Sequence, residues 1–164
     1  MIFHDVIADR FESALDSAAE FVGIKGQRPE KLFGEGPNNL WALPVGSFLV
    51  IECKNNATSD NGISKTDAGQ LGQAMTWFSA KYPAAAVTPI MVHPHRTFGD
   101  GATAVYGMRV MTEEELKKLR KALESFAKAL SDPDTLNSMN KIKELIDAYG
   151  FGAEFLERYT KAPK

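Results

Sequence analysis

Cysteine is nearly absent from this chain: Cys53 is the single one in 164 residues. One thiol excludes a disulfide scaffold and a zinc finger built on cysteine pairs. Long apolar runs are missing too. No stretch of about 18 apolar residues occurs, which excludes a transmembrane helix. No basic segment followed by an apolar stretch opens the chain, which predicts a cytoplasmic protein. A surplus of positive charge is also lacking, since the net charge is −2. Residues 1–100 carry 8 Lys/Arg against 11 Asp/Glu, and residues 101–164 carry 11 against 10. Neither half is a basic module that would announce nucleic acid by charge alone.

What is present is an ordinary globular composition, 44% apolar and 24% charged. That balance excludes intrinsic disorder, and the length predicts one domain with a substantial core. Residues 5–23 read as a helix, because Phe11, Leu15, Ala18 and Val22 recur at helical spacing. Residues 24–33 are expected to hold a first edge strand. Leu40–Leu43 and Phe48–Lys54 read as strands joined by the turn Pro44-Val45-Gly46-Ser47. The second of these, apolar on both faces until Glu52, has the pattern of a central strand. A helix is predicted over 67–81, a strand over 87–92 and a further strand over 102–110. Thr112-Glu113-Glu114-Glu115 is a capping box opening a helix to about Leu130. Asp132-Pro133 starts another helix, expected to run to Gly150, and Phe155, Leu156 and Tyr159 mark a short last one. The fold class is α/β: a mixed α-β-β-β-α-β sheet flanked by helices, with an antiparallel hairpin at its centre and extra C-terminal helices. The core is placed at about 5–110 and the helical extension at about 111–164, in a single domain.

The hairpin carries the chemistry. Alternation puts Glu52 and Lys54 on one face, with Cys53 opposite. Closure near 44–47 brings Asn38 toward the Glu52 end. An acid, a polar group and a lysine then converge, which suits phosphodiester hydrolysis. Carboxylates hold Mg²⁺ or Mn²⁺, the metal activates water, and a lysine orients it or neutralises developing charge.

Pro37-Asn38, followed 14 residues later by Glu52-Cys53-Lys54, resembles the PD-(D/E)xK nuclease superfamily. The longer strings Glu35–Trp41 and Val50–Lys54 are similar to nuclease-like domains attached to DEAD/DEAH-type helicases, over about residues 8–95. The resemblance implies a restriction-endonuclease-like core and metal-dependent cleavage of DNA with Mg²⁺ or Mn²⁺. It implies metal ligation by Glu52, the Cys53 backbone carbonyl, the position of Asn38 and Glu12, and a catalytic role for Lys54. Gln70 would support the site, and Gln73 with Trp77 echoes a Gln-x-x-x-Tyr variant. Its partners would be DNA, a helicase or ATPase module in the same polypeptide or complex, and a second copy of the chain. One departure stands out: the superfamily has Asp where this chain has Asn38. Asn lacks the charge, so metal affinity should drop. Three readings stay open. The position was changed to trap an inactive form; or the domain binds DNA, or serves assembly, without cutting; or Glu12, Glu52 and one other group hold a metal without it.

Other residues carry weaker signals. His93, His95 and Arg96 follow a strand and read as phosphate contacts or plain loop residues. Ser64 and Lys65, at a helix start, can contact backbone phosphate. Cys53 is expected to be a buried, inert thiol. The leucine stripe 116–130 packs on the core or supports a partner interface. No Gly-Lys-Ser/Thr phosphate loop exists, so the chain has no motor of its own.

Overall fold

A computed structural model describes residues 7–57 and 61–164. In chain order the elements are α1 (Ala8–Phe21), β1 (Lys25–Gln27), α2 (Pro29–Phe33), β2 (Asn39–Ala42), β3 (Phe48–Cys53), α3 (Lys65–Lys81), β4 (Val87–Val92), β5 (Arg109–Met111), α4 (Glu113–Leu130), α5 (Pro133–Leu136), α6 (Met139–Ala148) and α7 (Phe155–Tyr159). The five strands form one mixed sheet in the order β1-β2-β3-β4-β5. The β1–β2 and β2–β3 pairs are antiparallel, and β3–β4 and β4–β5 are parallel. The architecture is α/β, with helices on both faces.

The period-two alternation of β3 divides the core. Leu49, Ile51 and Cys53 face α1 and the C-terminal helices, in one cluster with Phe11, Leu15, Trp41, Leu119, Phe126, Phe151 and Phe155. Val50 faces α3, with Leu40, Leu71, Ala74, Phe78, Met91 and Val110. A β3 without a polar face is what a strand covered on both sides requires. The residues beyond 111 are thus more than an appendage. Phe126 meets Phe21, Phe151 and Tyr149 edge-on and is 1% exposed, so α4 roofs the sheet beside α1. The leucine stripe therefore faces the chain's own core.

The edge strand expected in 24–33 is present but short, and two other expectations are corrected. The stretch 24–33 forms only the three-residue β1, after which Pro29, at the first turn of α2, starts a short helix. The strand expected over 102–110 shrinks to Arg109–Met111. Pro89 in β4 has no N–H to donate, and along β4 its position faces the β5 side, as His93 does when its N–H reaches Met111 O at 3.2 Å. β5 pairs only beyond that gap, from Ile90 onward. The residues before it form a loop, with Gly101 and Gly107 at positive φ. The outer edge of β5 is closed by the C-terminal tail, through paired bonds between Val110 and Lys161. The helix expected from 132 to 150 breaks in two. Asp132 caps α5, and Ser138 caps α6 by accepting from Lys141 N–H. No helix of the described residues is long and apolar enough to cross a membrane.

If α4 is structural, Phe126→Ala should lower the unfolding free energy by about 3–5 kcal/mol. Urea denaturation followed by circular dichroism measures this; an unchanged midpoint would mean that α4 adds nothing to the core.

Candidate active site

The open end of the hairpin forms a cleft of about 350 Å³, lined by Glu30, Glu35, Asn38, Glu52, Lys54, Gln70, Gln73 and Trp77, with Gly34, Gly36 and Ala74. Strand β3 supplies Glu52 and, just past its end, Lys54. Strand alternation turns both toward α3, whose exposed residues Gln70 and Gln73 form the facing wall. Asn38 stands immediately before β2. The β2–β3 register pairs Asn39 with Ile51, so Asn38 lies across from Glu52. The lip of the cleft turns at Gly36, at φ +94°, where a Cβ would lie 2.9 Å from Pro29 and 3.0 Å from the Trp77 ring. Only glycine fits there.

Glu52 is 5% exposed. Its Oε2 lies 3.9 Å from Lys54 Nζ, close enough for attraction and too far for a hydrogen bond. Burial pushes the Glu52 carboxyl up to about 7. Lys54 and an N–H of Asn38 pull it down, while Glu30 and Glu12 push it further up. The rise comes first from desolvation, and Lys54, the cation beside Glu52, does not offset it.

Asn38 is held at both ends of its amide. Its Oδ1 accepts from the Cys53 N–H at 2.7 Å, and its Nδ2 donates to Glu30 Oε2. Sequence reasoning missed Glu30. The signal was its position after Pro29 in a helix start, eight residues before Asn38, but nothing local shows that this turn folds back. The backbone does so by Glu30 N–H donating to Pro37 O at 3.2 Å.

Several expected site residues lie elsewhere. The Glu12 carboxylate pairs with Arg28 at 2.6 Å and does not line the cleft. It rises from α1, which packs on the Cys53 face of the sheet. His93 is fully buried where β4 ends, with Nδ1 accepting from the His95 N–H at 2.9 Å. It is not placed to touch a phosphate at the surface. Arg96 donates to Ala162 O through Nε at 3.0 Å and so ties down the C-terminal tail. Ser64 caps α3, accepting from the Asp67 N–H at 3.1 Å. It also borders a second hollow with Lys54, Asn55, Asn56 and Asp67. Lys65 is exposed on the first turn of α3. The Cys53 thiol is buried, and desolvation pushes it well above its ordinary range, which makes it inert as a nucleophile.

Among the described residues no three His, Cys, Asp or Glu side chains gather into a metal-binding group. The donors nevertheless fit Mg²⁺ or Mn²⁺. Two carboxylates, Glu30 and Glu52, line one cleft, and Mg²⁺ is commonly held by one or two carboxylates completed by water and substrate phosphate. Comparison with protein-family models, curated proteins and solved structures gives no match.

The raised Glu52 carboxyl has a consequence for stability. Between about pH 4.5 and 7 the folded chain holds a proton that the unfolded chain has lost. Stability contributed by Glu52 therefore falls as pH rises through this window, by about 3 kcal/mol in all. Glu52→Gln removes the titration. Measured by urea denaturation in chelator, the variant should gain on the wild type from about pH 5 to pH 8. A difference that stays constant with pH would contradict the site's electrostatics.

Proposed function

We propose that the chain is a nuclease-like domain with a restriction-endonuclease-like core, and that its cleft hydrolyses DNA phosphodiesters with Mg²⁺ or Mn²⁺. The observation that carries this reading is the buried carboxylate of Glu52 beside the Lys54 ammonium, at the mouth of a central strand and facing the α3 glutamines. The resemblance of Pro37-Asn38 and Glu52-Cys53-Lys54 to the PD-(D/E)xK pattern supports it.

Glu52, with the Cys53 backbone carbonyl, would hold the cation. When bound, the cation supplies a polarised phosphate and an acidified water. The remaining work falls to the protein. Lys54 donates hydrogen bonds toward the attacking water or a non-bridging phosphate oxygen, where negative charge accumulates. Gln70 and Gln73 can donate their amide hydrogens to the DNA backbone and fix its register. Water adds to phosphorus, the bond from phosphorus to the leaving sugar oxygen breaks, and that oxygen takes up a proton. A net charge of −2 is compatible with this substrate, because the cation rather than the protein surface meets the phosphate.

One observation favours a second reading, a DNA-binding or assembly module that does not cut. Asn38 is neutral, and its amide is spent on Glu30 and Cys53. Incubation with DNA and Mg²⁺ or Mn²⁺ separates the two. Under the nuclease reading the wild type nicks DNA, Asn38→Asp cuts at least about tenfold faster, and Lys54→Ala loses about 100-fold or more. Retained DNA binding with no cleavage by the wild type or by Asn38→Asp would leave only the second reading.

A further inference from the structure

Asn38 and Glu30 form a unit with a defined orientation. The Cys53 N–H can only donate, so the atom of Asn38 that faces it is the amide oxygen. The NH₂ end is thereby turned outward, onto Glu30 Oε2. Asn38 thus offers its own NH₂ to a carboxylate and ties Glu30 to the cleft that Glu52 also lines. The backbone enforces the arrangement. Pro29 starts α2, Gly34 ends it at φ +75°, and Glu30 N–H returns to Pro37 O, the residue before Asn38.

The neighbouring acids are already neutralised. Glu12 pairs with Arg28, Asp9 with Arg28 and Lys31, and Glu35 with Lys81. Glu30 forms no ion pair among the described residues, yet it lines the same cleft as Glu52. A carboxylate left without a cation, and fixed by a hydrogen bond to one of its two oxygens, still has a hard oxygen to give.

We propose that Glu30 supplies the second carboxylate of the divalent-cation site, in place of the acid that position 38 lacks, with Asn38 as the positioning residue that holds it. This rests on the reading of the cleft as a metal-dependent site, and the readout is cation binding without DNA.

Free Mn²⁺ is titrated by electron paramagnetic resonance against the intact chain near pH 7.5, with urea midpoints reported for each variant. The wild type is expected to bind one Mn²⁺. Glu30→Gln and Glu52→Gln should each weaken binding at least about tenfold, the least that even an outer partner of a metal ligand costs when removed. Glu30 is exposed, so its substitution leaves the fold intact. The double variant Glu30→Gln/Asn38→Asp moves the charge back to the strand and should recover binding to within a few-fold of the wild type. Three outcomes overturn the proposal. Glu30→Gln binding as tightly as the wild type, with Glu52→Gln weakened, removes Glu30 alone and leaves the nuclease reading standing. A double variant that stays as weak as Glu30→Gln shows that Glu30 does not substitute for an acid at position 38. No Mn²⁺ bound by the wild type or by Asn38→Asp overturns both the proposal and the metal-dependent reading.

Discussion

The burial of β3 on both faces and both edges is the constraint on which the rest depends. A strand hydrogen-bonded to β2 on one side and β4 on the other has no freedom to slip, because a one-residue shift would exchange every apolar contact for its opposite. Its register therefore dictates where the polar residues at its end emerge. Val50, Glu52 and Lys54 share one face, and that face belongs to α3. The carboxylate of Glu52 is carried into a site that is 5% exposed by the packing of residues that have no chemistry of their own. A buried carboxylate is a liability to stability, because burial disfavours its charged form.

Electrostatics around the cleft follow from the same arrangement. Lys54 approaches Glu52 only to 3.9 Å, and Glu30 and Glu12 add negative potential from α2 and α1. Arg28, which could have relieved it, is committed to Glu12 and Asp9. The structure thus separates two acidic groups: one closed by arginine beneath α1, the other left open beside Lys54. Arg28 thereby holds Glu12 away from the cleft that Glu30 and Glu52 line.

Much of the fold was legible because it rests on local rules. The apolar run of β3, the hairpin turn, the capping box before α4 and β4 each declare themselves within a few residues. The strand over 102–110 misled because alternation is visible in a sequence while the missing N–H of Pro89 matters only once β4 and β5 are neighbours. The helix from 132 to 150 misled because Ser138, an ordinary polar residue in a helical pattern, competes for the next N-terminus as a cap. In the site, Asn38, Glu52, Lys54 and Gln70 meet as their strand and helix positions imply, whereas Glu30 does not show in any local pattern.

By itself the sequence determined the α/β class, the central strand and the face on which Glu52 and Lys54 emerge, because strand alternation is a property of the backbone and needs no partner. Only the tertiary structure decided which acids stand together. Helices α1 and α2 fold toward the hairpin at angles set by distant packing, so Glu12 went to Arg28 and Glu30 to Asn38. Charge pairing of this kind is decided by distances of a few ångströms between elements far apart in the chain, and no residue spacing encodes them.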